Sequence, residues 1–184
     1  MWTEEAGAVR TWLRPVDETR ASWMKPYLEF LSWSNRAYPE AVEGAETLKL
    51  LALDLGEKRI GLAVSGPEGR LTLPAGHVQR TKLVEDVRRV LEAAGERRVE
   101  GLVVGIPYSI NGETGPQAKR ALVFVRALRK QTSLPVHETD ERYTSVEAEA
   151  LMREAGHQPS RDRAAVDEAS AVLILQRFLD ARTG

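Results

Sequence analysis

"LALDLGEKRIGLAVS", residues 51–65, decides how the rest of the chain is read. An apolar run ends on Asp54, a short polar break follows, and a second apolar run begins at Arg59. Two such runs so close together predict a hairpin. Gly56 is expected at the positive-φ position that tight turns favour. A carboxylate without a partner is costly at the end of a buried strand, so Asp54 needs a reason to be there.

Outward from this hairpin the pattern stays regular. "LKLLALDL" (48–55) and "RIGLAVS" (59–65) form the first two strands, and "RLTLPAGHVQ" (70–79) forms a third after the "GPEG" turn. From about Thr81, Leu83, Val84, Val87, Val90, Leu91 and Ala94 recur on one stripe and predict a helix. "VEGLVVGIP" (99–107) is an apolar strand closed by Pro107. The loop "YSINGETGP" then leads into a helix that buries Ala118, Ala121, Leu122, Val125 and Leu128. "LPVHETD" (134–140) is the fifth strand. "TSVE" (144–147) matches a capping box, and Gly156 suits the stop of the helix it opens. The last helix spans about Asp162 to Arg182, and its "ASAVLIL" centre is apolar nearly all round, so it should be deeply buried. Three hairpin-linked strands followed by two reached through helices predict one mixed five-stranded α/β sheet. It is antiparallel on one side and parallel on the other, with helices on both faces.

Composition sets the limits. A chain of 184 residues with 42% hydrophobic and 29% charged residues belongs with soluble globular proteins. It has no cysteine, which excludes disulfides and Cys-based zinc sites. His77, His137 and His157 lack any short ligand spacing. No apolar run is long enough to cross a bilayer, and the acidic, polar N-terminus does not resemble a signal peptide, so a cytoplasmic protein with no membrane partner is expected. Residues 47–184 are close to neutral and lean basic, which permits a nucleic-acid partner without requiring one.

Residues 1–46 differ from the rest. They hold Trp2, Trp12, Trp23 and Trp33, repeat "WLRP" (12–15) as "WMKP" (23–26), and carry Pro15, Pro26 and Pro39. Three readings stay open for this extension: a short helical arm, a platform for stacked bases, or translation from a start codon placed too early. The domain division is therefore 1–46 and 47–184.

In open sheets with parallel strands, functional groups gather at the strands' carboxyl ends. Asp54 and Asp140 end strands one and five; if the two parallel strands flank strand one, these ends are neighbours. Asp167 lies near the start of the last helix, beside the small residues Ala169, Ser170 and Ala171 that allow close approach to the sheet. Like charges repel by about 4 kcal/mol at roughly 4 Å and an effective dielectric of about 20. A bridging cation or bound protons must offset that. Oxygen ligands without His or Cys select Mg²⁺ or Mn²⁺, and two such ions can drive phosphodiester hydrolysis. Each acid also has a plainer role: Asp54 bonding turn amides, Asp140 pairing with Arg142, Asp167 favoured by a helix dipole.

"ALDLGEKRIGLAVS" (52–65), "VVGIPYSINGETGPQA" (103–118), "DERYTSVEAE" (140–149) and "VDEASAVLILQRFLD" (166–180) resemble, in order, the signature blocks of the YqgF family. The resemblance covers about residues 48–181. These proteins are RNase H-fold relatives of the RuvC Holliday junction resolvase, described as junction resolvases and as nucleases maturing the 5′ end of 16S rRNA. The resemblance implies an RNase H-like fold and a divalent-metal nuclease, with Asp54, Asp140 and Asp167 as catalytic metal ligands. Glu141 is the alternative to Asp140, since strand alternation points only one of the two inward; Asp140 is the favoured one. The loop reads "SING" (109–112) where relatives have "NMDG", and Ala164 and Ala165 replace family lysines, with Arg161 and Arg163 close by. The Trp-rich extension has no counterpart in the family's short form.

By position, Lys58, Arg59, Asn111, Arg142, Arg161 and Arg163 are expected to contact nucleic acid. The implied partners are structured RNA, above all precursor 16S rRNA, or branched DNA. A homodimer is left open, because symmetric cutting of a junction needs two sites. The competing classes are a non-catalytic nucleic-acid-binding factor and an actin-like ATPase. The latter shares a "DLG" loop but needs two such domains and a cleft between them.

Overall fold

The computed structural model describes residues 48–66, 72–109, 114–142, 144–154, 156 and 158–183. The Trp-rich extension, Asn111 and most of the "SING" loop lie outside the described residues. Five strands form one sheet: β1 (Leu50–Leu55), β2 (Arg59–Ser65), β3 (Thr72–Gln79), β4 (Gly101–Ile106) and β5 (Val136–Asp140). Four helices accompany them: α1 (Leu83–Glu96), α2 (Pro116–Gln131), α3 (Thr144–Glu154) and α4 (Arg163–Thr183).

The strand order is β3-β2-β1-β4-β5. β1 pairs antiparallel with β2, and β2 with β3. β1 pairs parallel with β4, and β4 with β5. This is the mixed sheet that the sequence predicts, with one correction: the two parallel strands do not flank β1. They lie together on one side of it, so β4 separates Asp54 from the end of β5.

Leu50, Leu51, Ala52 and Leu53 are all at most 1% exposed, so both faces of β1 are covered. α4 packs across β1, β2 and β3 on one face and carries α3 on its outer side, while α1 and α2 pack against each other and against β3, β4 and β5. β3 is an edge strand, where Pro74 and a left-handed Gly76 at φ +85 sit beside a register shift.

Two local expectations change. Gly56 is not among the positive-φ glycines. It is needed for room, since a Cβ there would lie 2.8 Å from the Arg59 carbonyl oxygen. Thr144 is the first residue of α3 rather than its cap, and its Oγ1 donates to the Glu141 carbonyl at 2.7 Å. Glu147, the other half of the expected capping box, accepts from Arg177 instead. Asp162 caps α4, accepting from the Ala165 amide at 3.0 Å. Gly156, at φ +79, follows α3 as expected.

Candidate active site

Three positions lie side by side across the sheet near the carboxyl end of β1. Asp54 pairs with Gly61 of β2, and one step beyond the Leu53–Val104 pair it faces Gly105 of β4. Paired residues share a face, so two glycines flank one acid on the α4 side. Both glycines are there for space. A Cβ on Gly61 would lie 2.0 Å from the Asp167 carbonyl oxygen, so the bare backbone lets α4 settle onto the sheet at Asp167. A Cβ on Gly105 would lie 2.1 Å from Glu141 Oε2 and 2.7 Å from Ile174 Cδ1. The notch left by Gly105 is where Glu141 reaches across β4 toward Asp54.

Glu141, and not Asp140, therefore faces the site. Gly105 is in register with Thr139, and Ile106 with Asp140. Alternation then puts Thr139 and Glu141 on the α4 side and Asp140 on the other. Asp140 is 39% exposed and binds its neighbour, with Arg142 Nε donating to Oδ2 at 2.7 Å and the Arg142 amide donating to Oδ1 at 2.9 Å. The favoured assignment of Asp140 is corrected on that ground.

The electrostatics bear the marks of crowding. Burial pushes the Asp54 carboxyl up to about 7, and the Asp167 carboxylate adds to the effect. Burial pushes Glu141 up to about 9, with Asp54 and Asp140 contributing. Burial also raises Asp167, against the opposing pull of Arg59. The Ser170 hydroxyl opposes the rise of Asp54, and Glu141 Oε2 is buried with no hydrogen-bond partner among the described residues. Such orphaned oxygens are rare in native interiors. An all-oxygen donor set with an unmet acceptor fits a hard divalent cation. Among the described residues no three acidic or histidine side chains yet close on a common ion. Asp167 Oδ2 is held instead by Arg59 Nε at 2.7 Å.

Other contacts fix the parts in place. Arg177 on α4 donates to the Arg142 carbonyl at 3.2 Å and Thr144 Oγ1 at 3.3 Å, and also to Glu147. It thereby ties the segment carrying Glu141 to the helix carrying Asp167. His77 of β3 pairs with buried Glu168 at 3.2 Å, next to Asp167. Arg80 Nη1 donates to the Gly56 carbonyl at 2.9 Å and braces the first turn.

An open cleft of about 1450 Å³ leads away from the carboxylates. Its walls include Arg80, Tyr108, Arg120 and Arg142. Of the cations expected to touch nucleic acid, Arg142 lines this cleft. Lys58 is exposed at the turn beside it, and Arg161 is exposed before α4. Arg59 is taken by Asp167, and Arg163 by Glu149 of α3. Sequence reasoning missed Arg80 and Arg120, because nothing in their spacing sets them apart from surface charge. It also missed Ser170 as a partner of the site, although the small-residue run around it was the available signal.

Fold and site together define a mixed-sheet α/β protein with a cluster of carboxylates at the head of its central strand. The chain belongs to the RuvX (YqgF) family: the family model described as "RuvX: Holliday junction resolvase" matches residues 48–181. Two relatives, both named "Putative pre-16S rRNA nuclease", illustrate the likeness. One from a Synechococcus species is 42% identical over 130 residues, covering 71% of this chain and 87% of the relative. One from Chloroflexus aurantiacus is 39% identical over 133 residues, covering 72% and 87%. Among solved structures, Thermus thermophilus RuvC is similar with a TM-score of 0.48 and 20% identity, over 74% of this chain and 97% of that one.

Proposed function

We propose that this chain is a divalent-metal-dependent nuclease that cuts structured RNA, with precursor 16S rRNA as its substrate, and that Asp54, Glu141 and Asp167 hold the metal. The observation that carries this is a buried Asp54 whose carboxyl interacts with Asp167 on α4 and with Glu141 across β4, at the places cleared by Gly61 and Gly105. The family match and the names of the relatives agree with it. The all-oxygen set suits Mg²⁺ or Mn²⁺, and its carboxylates provide enough oxygens to be shared by two ions. A divalent cation, when bound, supplies the positive charge that a phosphodiester needs as negative charge develops on it.

The chain's own groups do the rest. Burial raises Asp54 and Glu141 above the ordinary carboxyl range, so the cluster takes up a cation by giving up protons. The Ser170 hydroxyl acts on Asp54 and favours its ionised form against the burial that opposes it. Arg120 along the cleft offers donors to a phosphate, Arg80 and Arg142 line the same cleft while paired with Asp86 and Asp140, and Tyr108 offers an aromatic face beside them.

Cleavage of a labelled 16S precursor with Mn²⁺ or Mg²⁺, its loss on chelation, and its loss in Asp54→Asn test the reading. The variant is expected to fall by about a thousandfold or more while keeping its fold. Full activity in that variant would falsify the assignment. The description of the family model favours a second reading, resolution of a four-way DNA junction. Matched assays on both substrates at one salt concentration separate the two. A monomer in sedimentation argues against paired symmetric cuts.

A further inference from the structure

Arg59 opens β2, two residues before Gly61 and on the same face. Its Nε donates to Asp167 Oδ2 at 2.7 Å, with the two side chains 21% and 20% exposed. Asp167 Oδ1 lies 3.7 Å from where a Cβ on Gly56 would stand. Among the described residues, Arg59 is the one cation hydrogen-bonded to any of the three site carboxylates. A guanidinium cannot lose its proton at any working pH. It therefore leaves a carboxylate only by swinging away. An oxygen lone pair that accepts from Nε–H is not available to coordinate a metal.

We propose that Arg59 is a resident counter-ion that competes with the divalent metal for Asp167 and so lowers the metal affinity of the protein. The inference rests on reading the three carboxylates as a metal site. Arg59 neutralises part of the charge that a cation would otherwise neutralise. It also holds Asp167 Oδ2 against β2, and among the described residues no three acidic side chains close on a common ion. Charge-assisted pairs of this kind, partly exposed, are modest in strength. The competition is thus a tuning of occupancy, not a block.

The test measures Mn²⁺ binding to the full chain by electron paramagnetic resonance of the free ion, without nucleic acid. Arg59→Gln is expected to bind Mn²⁺ about threefold to tenfold more tightly than the parent. Arg59→Lys keeps a cation at the position and should stay near the parent. Arg59→Met repeats the comparison should the glutamine variant not fold, with circular dichroism melts reporting folding for each. Adding Asp54→Asn to the parent and to Arg59→Gln should remove the binding in both.

Unchanged affinity in Arg59→Gln and Arg59→Met overturns the competition. Weaker binding overturns it too, because it would make Arg59 an orienter of Asp167. A parent protein that binds no Mn²⁺, or binding that survives Asp54→Asn, overturns the metal site itself and the inference with it.

Discussion

On the exposed side of α1, Arg88 sits between Glu85 and Glu92 and bonds to both, and Arg89 reaches Glu85 as well. At the head of β1, Asp54 lies between Asp167 and Glu141, and Arg59 is their one hydrogen-bonded cation among the described residues. The two regions use the same side chains and end in opposite states. Hydrogen bonds from Arg88, foremost, pull the Glu85 carboxyl down to about 2, whereas burial pushes Asp54 up to about 7 and Glu141 up to about 9. Acids on a solvated helix gather cations because nothing prevents it. Acids in the notch are kept together by a backbone cleared of side chains at Gly61 and Gly105. A fold selected only for stability would not assemble such a cluster, because uncompensated buried charge is among the costliest features a core can hold. The difference supports the proposal that the second region is the one kept for chemistry.

The sharpest way to break this contrast is to exchange neighbours. Glu141→Gln removes an ionisable carboxyl from the notch and is expected to lower cleavage by about a hundredfold or more. Asp140→Asn removes a carboxyl one residue away and should change cleavage by less than about threefold, since its partner is an exposed arginine. The retained Oδ1 of asparagine can still accept from the Arg142 amide, so the turn survives. Parallel rate measurements on the two variants check this. Equal losses would mean that both acids serve the reaction.

That pair of residues also shows how far the sequence alone could reach. The strand pattern, the helix stripes and the buried last helix are all visible in side-chain periodicity, because local period and burial are properties of one segment. Which strands become neighbours is not. The placement of β4 between β1 and β5 depends on long-range pairing, and the flanking arrangement expected for β1 was wrong for that reason. The same gap decided Asp140 against Glu141. Alternation says that only one faces inward, but choosing between them requires the register of β5 on β4. One sign was present in the text of the chain: Gly105 interrupts an otherwise branched and apolar strand, which often marks close approach by another group. Read that way, "VVGIP" announces that something must pass over β4.

The contrast is next sharpened by pH. Asp54 and Glu141 ionise in the unfolded chain near their ordinary values of 3.8 and 4.5, but in the folded protein only near 7 and 9. Between about pH 4 and 9 the folded state therefore binds more protons than the unfolded one, and stability falls as pH rises. In chelator, the melting temperature is expected to drop by several degrees from pH 5.5 to pH 9. Asp54→Asn and Glu141→Gln should each flatten that slope. Melting curves at fixed ionic strength measure it, and a rising slope would show that the cluster is compensated in a way the geometry does not reveal.

The smallest effect belongs to the surface of α1. Glu92→Gln removes one of the two acids bonded to Arg88, and Glu85 remains as its partner. Exposed pairs contribute little because water and salt already solvate both charges. The melting temperature should move by less than about 1 °C, and cleavage should not change. The measurement has value because the two regions carry comparable numbers of acids. Were the surface variant to lose several degrees, charge pairing would govern stability throughout the molecule, and the crowding of the notch would no longer single it out. A negligible shift, set beside the large loss expected for Glu141→Gln, assigns the difference to burial and convergence and not to charge as such.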